Sequence, residues 1–204
     1  MEKFRIELKW AVIYSLCLLI WMYLERTMGW HTDQIKFQPI YTMFFGLVTI
    51  AVYLLALFNK KKDNYKNQID WKQGFLSGAI LSLFIAVLTP IVLFITFEYI
   101  SPDFFSNIIN YKVENSKMSL EDAEKYFSFS NYIYTNTFST LSNGIVLSAI
   151  ISFASVIFSL YFLLSILDFL LFKLELKPSK AFHLIPTPTY HFGSSSDKSS
   201  SINS

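Results

Sequence analysis

The stretch from residue 73 to residue 97, QGFLSGAILSLFIAVLTPIVLFITF, decides the fold. Its 25 residues contain no Asp, Glu, Lys or Arg. A helix rises about 1.5 Å per residue and the hydrocarbon core of a bilayer is about 30 Å thick, so about 20 apolar residues cross it. Three further stretches without charge lie at 10–24, 37–59 and 126–167. Each supports a lipid-spanning segment, and in lipid such a segment must be helical, because no water is present to satisfy open backbone groups. The expected architecture is therefore all-α and polytopic, with four transmembrane helices at about 8–27, 39–58, 74–97 and 142–170. The Ser-, Thr- and Asn-rich part of the last stretch, SFSNYIYTNTFSTLSN at 128–143, is read as polar loop and helix entry.

Composition agrees with this reading. The chain has 204 residues, of which 53% are hydrophobic and 16% charged. About 25% charged is usual for a soluble domain. That balance excludes a soluble globular enzyme and a disordered chain. A lone cysteine, Cys17, excludes a disulfide scaffold. The net charge of +2 gives no reason to expect nucleic acid.

Lys and Arg set the expected orientation. Twelve lie at the N-terminus, in the segment between the second and third helices (Lys60, Lys61, Lys62, Lys66 and Lys72) and after the fourth helix. Five lie on the other side, namely Arg26, Lys36, Lys112, Lys117 and Lys125. Both termini are expected in the cytoplasm, in a multi-pass protein of the bacterial inner membrane. A signal peptide is not expected, since Glu25 and Arg26 follow the first apolar run without a small-x-small site. One four-helix domain is expected over 1–177, with an outer loop at 98–141 and a disordered Pro/Ser-rich tail at 178–204.

The outer loop is aromatic-rich and mostly helical by its signals. Ser101-Pro102-Asp103 suggests a helix start, with serine as N-cap and proline in the first turn. Ser119 with Asp122 three residues later suggests a second. Such segments lie at the membrane interface and suit a lid or a partner surface.

Polar and small residues within the spans carry the site expectations. On helix one, Glu7, Trp10, Tyr14, Cys17, Trp21 and Glu25 recur at spacings of three and four, which places them along one face. They suit a packing seam with an acid near each end, or an aromatic cavity gated by the two acids. Glu98 and Asp168 are two further acids at membrane edges. Gly74 and Gly78 form a GxxxG pattern that Ser82 extends. Gly144, Ser148, Ser152, Ser155 and Ser159 form a second small-residue stripe. Small residues let helix backbones approach in lipid, where apolar burial gives no drive. Pro90 is expected to kink the third helix.

The absences limit the chemistry. His31, His183 and His191 all lie outside the spans, so haem ligation between helices is not expected. No Cys/His cluster, P-loop, GxSxG or HExxH is present. Serines have no histidine within a span to pair with, so a Ser/His nucleophile is not expected. No catalytic, cofactor-binding or metal-binding residue is assigned.

Several motifs in order resemble one family over about 1–165. They are IELKW at 6–10, Trp21 with Leu24 and Glu25, PIYTMFF at 39–45, WKQGFLSG at 71–78, ISPDFFSNII at 100–109 and MSLEDAEKYF at 118–127. The chain resembles the bacterial membrane proteins catalogued as domain of unknown function 4199. At Gln38 it departs from the family's pattern, where a histidine precedes the second helix. The resemblance implies four transmembrane helices and an inner-membrane home in a Gram-negative cell, and implies no activity. The function expected is that of a non-catalytic structural or interaction protein of the cell envelope. Its partners are the lipid bilayer and a membrane protein or a second copy of the chain. The alternative is a small-solute or ion transporter or channel acting as an oligomer, suggested by Pro90, the hydroxyl stripe and the edge acids. An enzyme acting on lipid is a third reading, resting only on the outer acids and tyrosines.

Overall fold

A computed structural model describes residues 4–65, 69–116 and 118–175. The tail expected over 178–204 lies outside the described residues, as do Lys66, Lys117, His183 and His191. Among the described residues there is no strand. Six helices follow in order: α1 (Arg5–Thr27), α2 (Gln38–Tyr65), α3 (Trp71–Ile95), α4 (Phe104–Ser116), α5 (Leu120–Tyr126) and α6 (Phe129–Glu175). Four of them are long and apolar enough to cross a membrane: α1, α2 with the turn before it, α3 with the turn after it, and α6. The chain forms two compact units, Met1–Tyr161 and Phe162–Ser204. In the second, the described residues are helical, with Phe162, Leu163 and Phe169 among its exposed apolar side chains.

Two boundaries differ from the sequence reading. The polar segment at 129–141 is helix rather than loop, continuous with the fourth span. Ser128 starts it, its hydroxyl accepting from the Asn131 N–H. Phe129, Tyr132 and Ile133 pack against the core, while Asn131, Tyr134 and Thr135 on the other faces stay exposed. The polar residues there mark an exposed helical face. At the other end, α2 continues to Tyr65, so Lys60, Lys61 and Lys62 are helical.

The buried seam of α1 runs through Glu7, Ala11, Tyr14, Leu18, Met22 and Glu25. Trp10, Cys17 and Trp21 flank it and are only partly buried. The seam is therefore rotated from the face read in the sequence. Its middle residues Ala11, Leu18 and Met22 belong to one buried core with Val52, Leu81 and Ile85.

The small residues of α3 and α6 meet in antiparallel register. A Cβ placed on Gly74 would lie 2.9 Å from Ser152 Oγ, and one on Gly78 would lie 2.6 Å from Ser148 Cβ. One on Gly144 would lie 2.9 Å from Ser82 Cβ and would also strike the Tyr53 hydroxyl. Each step of four along α3 answers a step of four back along α6. The two backbones approach because none of these positions carries bulk. Ser155 is half-buried and Ser159 exposed. Both line an open cleft of about 440 Å³ with Leu54, Leu57 and Phe58 of α2.

Pro90 stands within α3, which continues past it to Ile95. The chain then makes a π-turn, Thr96–Ile100, closed by the Ser101 N–H donating to the Thr96 carbonyl at 2.7 Å. Past the π-turn, α4 begins.

The register makes a test. Gly78→Ala is expected to destabilise the bundle by about 1–3 kcal/mol, the range for an overpacked contact. Gly46→Ala is expected to have no effect, since nothing lies within 4 Å of an added Cβ. Unfolding of the two variants in detergent micelles would show the contrast, and equal stability would refute this packing.

Candidate functional site

The site at the loop end of the bundle starts from the way α1 stops. After Thr27 the chain reverses at Gly29, whose φ of 79° falls where a side chain is strained. The Met28 N–H donates to the Leu24 carbonyl and the Trp30 N–H to the Glu25 carbonyl, which caps the helix. The reversal folds His31 back beneath the end of α1. There its ring meets Glu25, with Nε2 3.1 Å from Glu25 Oε2. On the other side of the ring, Nδ1 is 2.7 Å from Ser101 Oγ.

The donors can be ordered from the partners available. With Glu25 accepting, Nε2 carries the ring proton. In the neutral ring Nδ1 then accepts from the Ser101 hydroxyl. The other carboxylate oxygen of Glu25 accepts from Trp21 Nε1 at 2.7 Å and from Thr42 Oγ1 at 2.7 Å. Gln38 Nε2 in turn donates to Thr42 Oγ1 at 2.9 Å. Asn107 of α4 donates to the His31 carbonyl at 2.9 Å. One network thus joins α1, the turn after it, α2, the π-turn exit and α4.

The sequence reading looks for a serine partner only among histidines within a span, and His31 lies between the first two spans. Ser101 meets it from just beyond the end of the third span. The structure corrects the expected role of Ser101, which does not cap α4 with its hydroxyl. Only its carbonyl serves the helix, accepting from the Phe104 N–H at 3.1 Å. Ser119, by contrast, caps α5 as expected, accepting from the Asp122 N–H.

Ser101, His31 and Glu25 have the composition of a nucleophile, a base and an orienting acid. Their surroundings differ from those of a reactive triad. Ser101 and His31 are each 1% exposed and Glu25 is 0% exposed. The Phe104 ring lies edge-on to His31 at 5.0 Å, and Phe97, Phe105 and Tyr132 close over it. The Ser101 N–H is spent within the π-turn, so it cannot help stabilise an oxyanion. As built, the cluster is a sealed polar tie beneath an aromatic lid.

A second cluster lies at the lysine-rich end. Glu7 accepts from Lys60 Nζ at 2.8 Å and from Ser77 Oγ at 2.7 Å. Glu7 is 2% exposed and Lys60 5%. The pair joins α1, α2 and α3. Lys60, read in the sequence as one of several orienting lysines, has a structural partner as well. A buried pair is weak evidence for net stability, but removing one partner strands the other charge and costs about 3–5 kcal/mol.

The two acids do not share a site. Eighteen residues of one helix separate Glu7 from Glu25, about 27 Å at the helical rise. Of the other edge acids, Glu98 on the π-turn and Asp168 in the second unit are exposed. Nothing local in the sequence pairs Lys60 or Ser77 with Glu7, or His31, Ser101 or Thr42 with the Glu25 cluster. The nearest signal was the position of Glu7 and Glu25 on the inward side of an apolar helix, where a carboxylate requires partners.

A family model described as protein of unknown function (DUF4199) matches residues 9–158. The matched region contains Glu25, His31 and Ser101 and begins just after Glu7. No curated protein and no solved structure matches the chain.

The tie makes a graded expectation. Glu25→Ala leaves the Trp21, Thr42 and His31 donors without their acceptor and is expected to cost about 3–5 kcal/mol. Ser101→Ala removes one hydrogen bond and is expected to cost about 1–3 kcal/mol. Both values are read by chemical unfolding in micelles. His31→Ala is further expected to make α4 cleavable by protease in the otherwise folded chain, and resistance equal to wild type would deny the lid its anchor.

Proposed function

Because the chain belongs to the DUF4199 family, whose function is unknown, we propose its role from its own geometry: a non-catalytic membrane protein that holds an outer helical segment as an interaction surface. The observation that carries this reading is the sealed Glu25–His31–Ser101 tie. Ser101 is 1% exposed and its own N–H is taken by the Thr96 carbonyl, which favours attachment over reaction. What the tie does supply is attachment, fixing α4 to the ends of α1, α2 and α3. With α4 held on its inner side by Phe104 and Ile108, its outer side and α5 are left to meet a partner. On α5, Glu121 and Glu124 are exposed, and the partner is another component of the membrane or envelope.

The excess of lysine at the end that holds Arg5 and Lys60 supports a bacterial inner-membrane location with both termini in the cytoplasm. The oligomeric transporter draws less support. Three of its hydroxyls are spent on the backbone, with Ser148, Ser155 and Ser159 each donating to the carbonyl one turn back on their own helix.

Two experiments test the proposal. A photo-crosslinking amino acid placed at exposed Glu121 or Tyr126 is expected to capture one reproducible partner in cells, and an empty or random pattern would count against it. A fluorophosphonate probe is expected to leave Ser101 unlabelled in the folded protein, and stoichiometric labelling at Ser101 would overturn the non-catalytic reading.

A further inference from the structure

The spanning helices enclose a second kind of cleft, between α2 and α6 near the middle of the membrane. It measures about 360 Å³, within the roughly 300–1,000 Å³ of small-molecule sites. Its polar groups come from Tyr14, Thr49, Tyr53, Thr140 and Asn143, and Gly46 and Gly144 also line it. No charged residue contributes.

Depth follows from the first three helices. The midpoints of their charge-free stretches fall at Cys17, Val48 and Ile85. Tyr14, Thr49, Tyr53 and Ser82 all lie within five residues of these, so within about 8 Å of the bilayer centre. Gly144 packs against Tyr53 and Ser82 and brings Asn143 to the same depth.

At that depth a polar group needs a partner, because hydrocarbon supplies none and an unmet group costs several kcal/mol. Most hydroxyls in the spans meet the need on their own helix. Thr49 donates to the Phe45 carbonyl, and Ser82 to that of Gly78. Tyr53 therefore donates to Ser82, 2.8 Å away. Asn136, two turns before Asn143, donates to the Tyr132 carbonyl. Asn143 is exposed, and among the described residues neither its amide nor the Thr140 hydroxyl makes a hydrogen bond. The two lie three residues apart on the same side of α6, both lining the cleft. Val146 and Ile150 on the same helix are exposed, as is Gly46 on α2, so the cleft opens sideways to lipid.

We propose that this cleft binds an uncharged, membrane-dissolved molecule through a carbonyl oxygen, with Asn143 and Thr140 as donors. The absence of a charged residue in the lining excludes an ionic ligand, since no counter-charge awaits it at mid-bilayer. The lateral opening lets a ligand enter from the lipid with its apolar tail left between α2 and α6. Two membrane sources present this chemistry: the ring carbonyl of a quinone and the ester carbonyl of a diacylglycerol.

The test uses the full chain in lipid nanodiscs with tritiated decylquinone and, separately, tritiated dioctanoylglycerol. Saturable binding of at least one is expected, and the one that saturates identifies the source. Gly46→Phe places a ring in the cleft where no protein atom lies within 4 Å of the new Cβ. It is expected to weaken binding at least tenfold with an unchanged melting temperature. Asn143→Leu removes the amide and is expected to do the same, giving a second reading should the bulkier variant fold poorly. Saturation by neither probe, or equal binding by wild type and both variants, would overturn the proposal. So would a wild-type dimer in detergent that Asn143→Leu converts to monomer, since the cleft would then be a contact between two copies.

Discussion

Hydrocarbon offers no hydrogen-bond partner, and the rest of this structure depends on that constraint. It makes the spans helical, because a helix alone satisfies its own backbone within one segment. It also governs the side chains. Ser148, Thr89 and Thr96 each return their proton to the preceding turn. Glu7 and Glu25 cannot do this and so collect donors from neighbouring helices. Each acid thereby becomes the point where three or more elements are joined.

The two ties differ in chemistry as well as place. At the lysine-rich end the partner of Glu7 is a lysine, and the joint is a buried ion pair supported by Ser77. At the loop end Glu25 gathers an indole, a hydroxyl and an imidazole, and the imidazole passes the connection on to Ser101. The second arrangement reaches further, because a ring with two nitrogens bridges two partners. It extends the tie from the helical bundle into the segment that lies beyond the membrane. Between the ties, attraction rests on close approach: Gly74 and Gly78 against Ser152 and Ser148 place backbones near each other where burial in lipid contributes no net drive.

Much of the fold is legible in the sequence because both of its signals are local. Length without charge marks a span, and spacing of small residues marks a face. The Gly74–Gly78–Ser82 and Gly144–Ser148–Ser152 patterns were visible separately. Their pairing was not, since register depends on where two helices sit along each other. The stretch at 129–141 was misread because Ser, Thr and Asn suit loops as well as exposed helical faces. Ser101 was misread because a serine before proline is a good N-cap in isolation, and nothing local shows that a histidine seventy residues earlier takes its hydroxyl.

By itself the sequence determined the number of spanning helices, their small-residue faces and the membership of Glu7 and Glu25 on one side of α1. Those properties follow from composition and helical period. Only the tertiary structure decided that Lys60 and Ser77 meet Glu7, that His31 stands between Glu25 and Ser101, and that Asn143 faces a cleft without a partner. The physical reason is that a hydrogen bond acts over about 3 Å. Residues distant in the chain come within that range only once the turns at Gly29 and Thr96–Ile100 and the contact of α3 with α6 have been made.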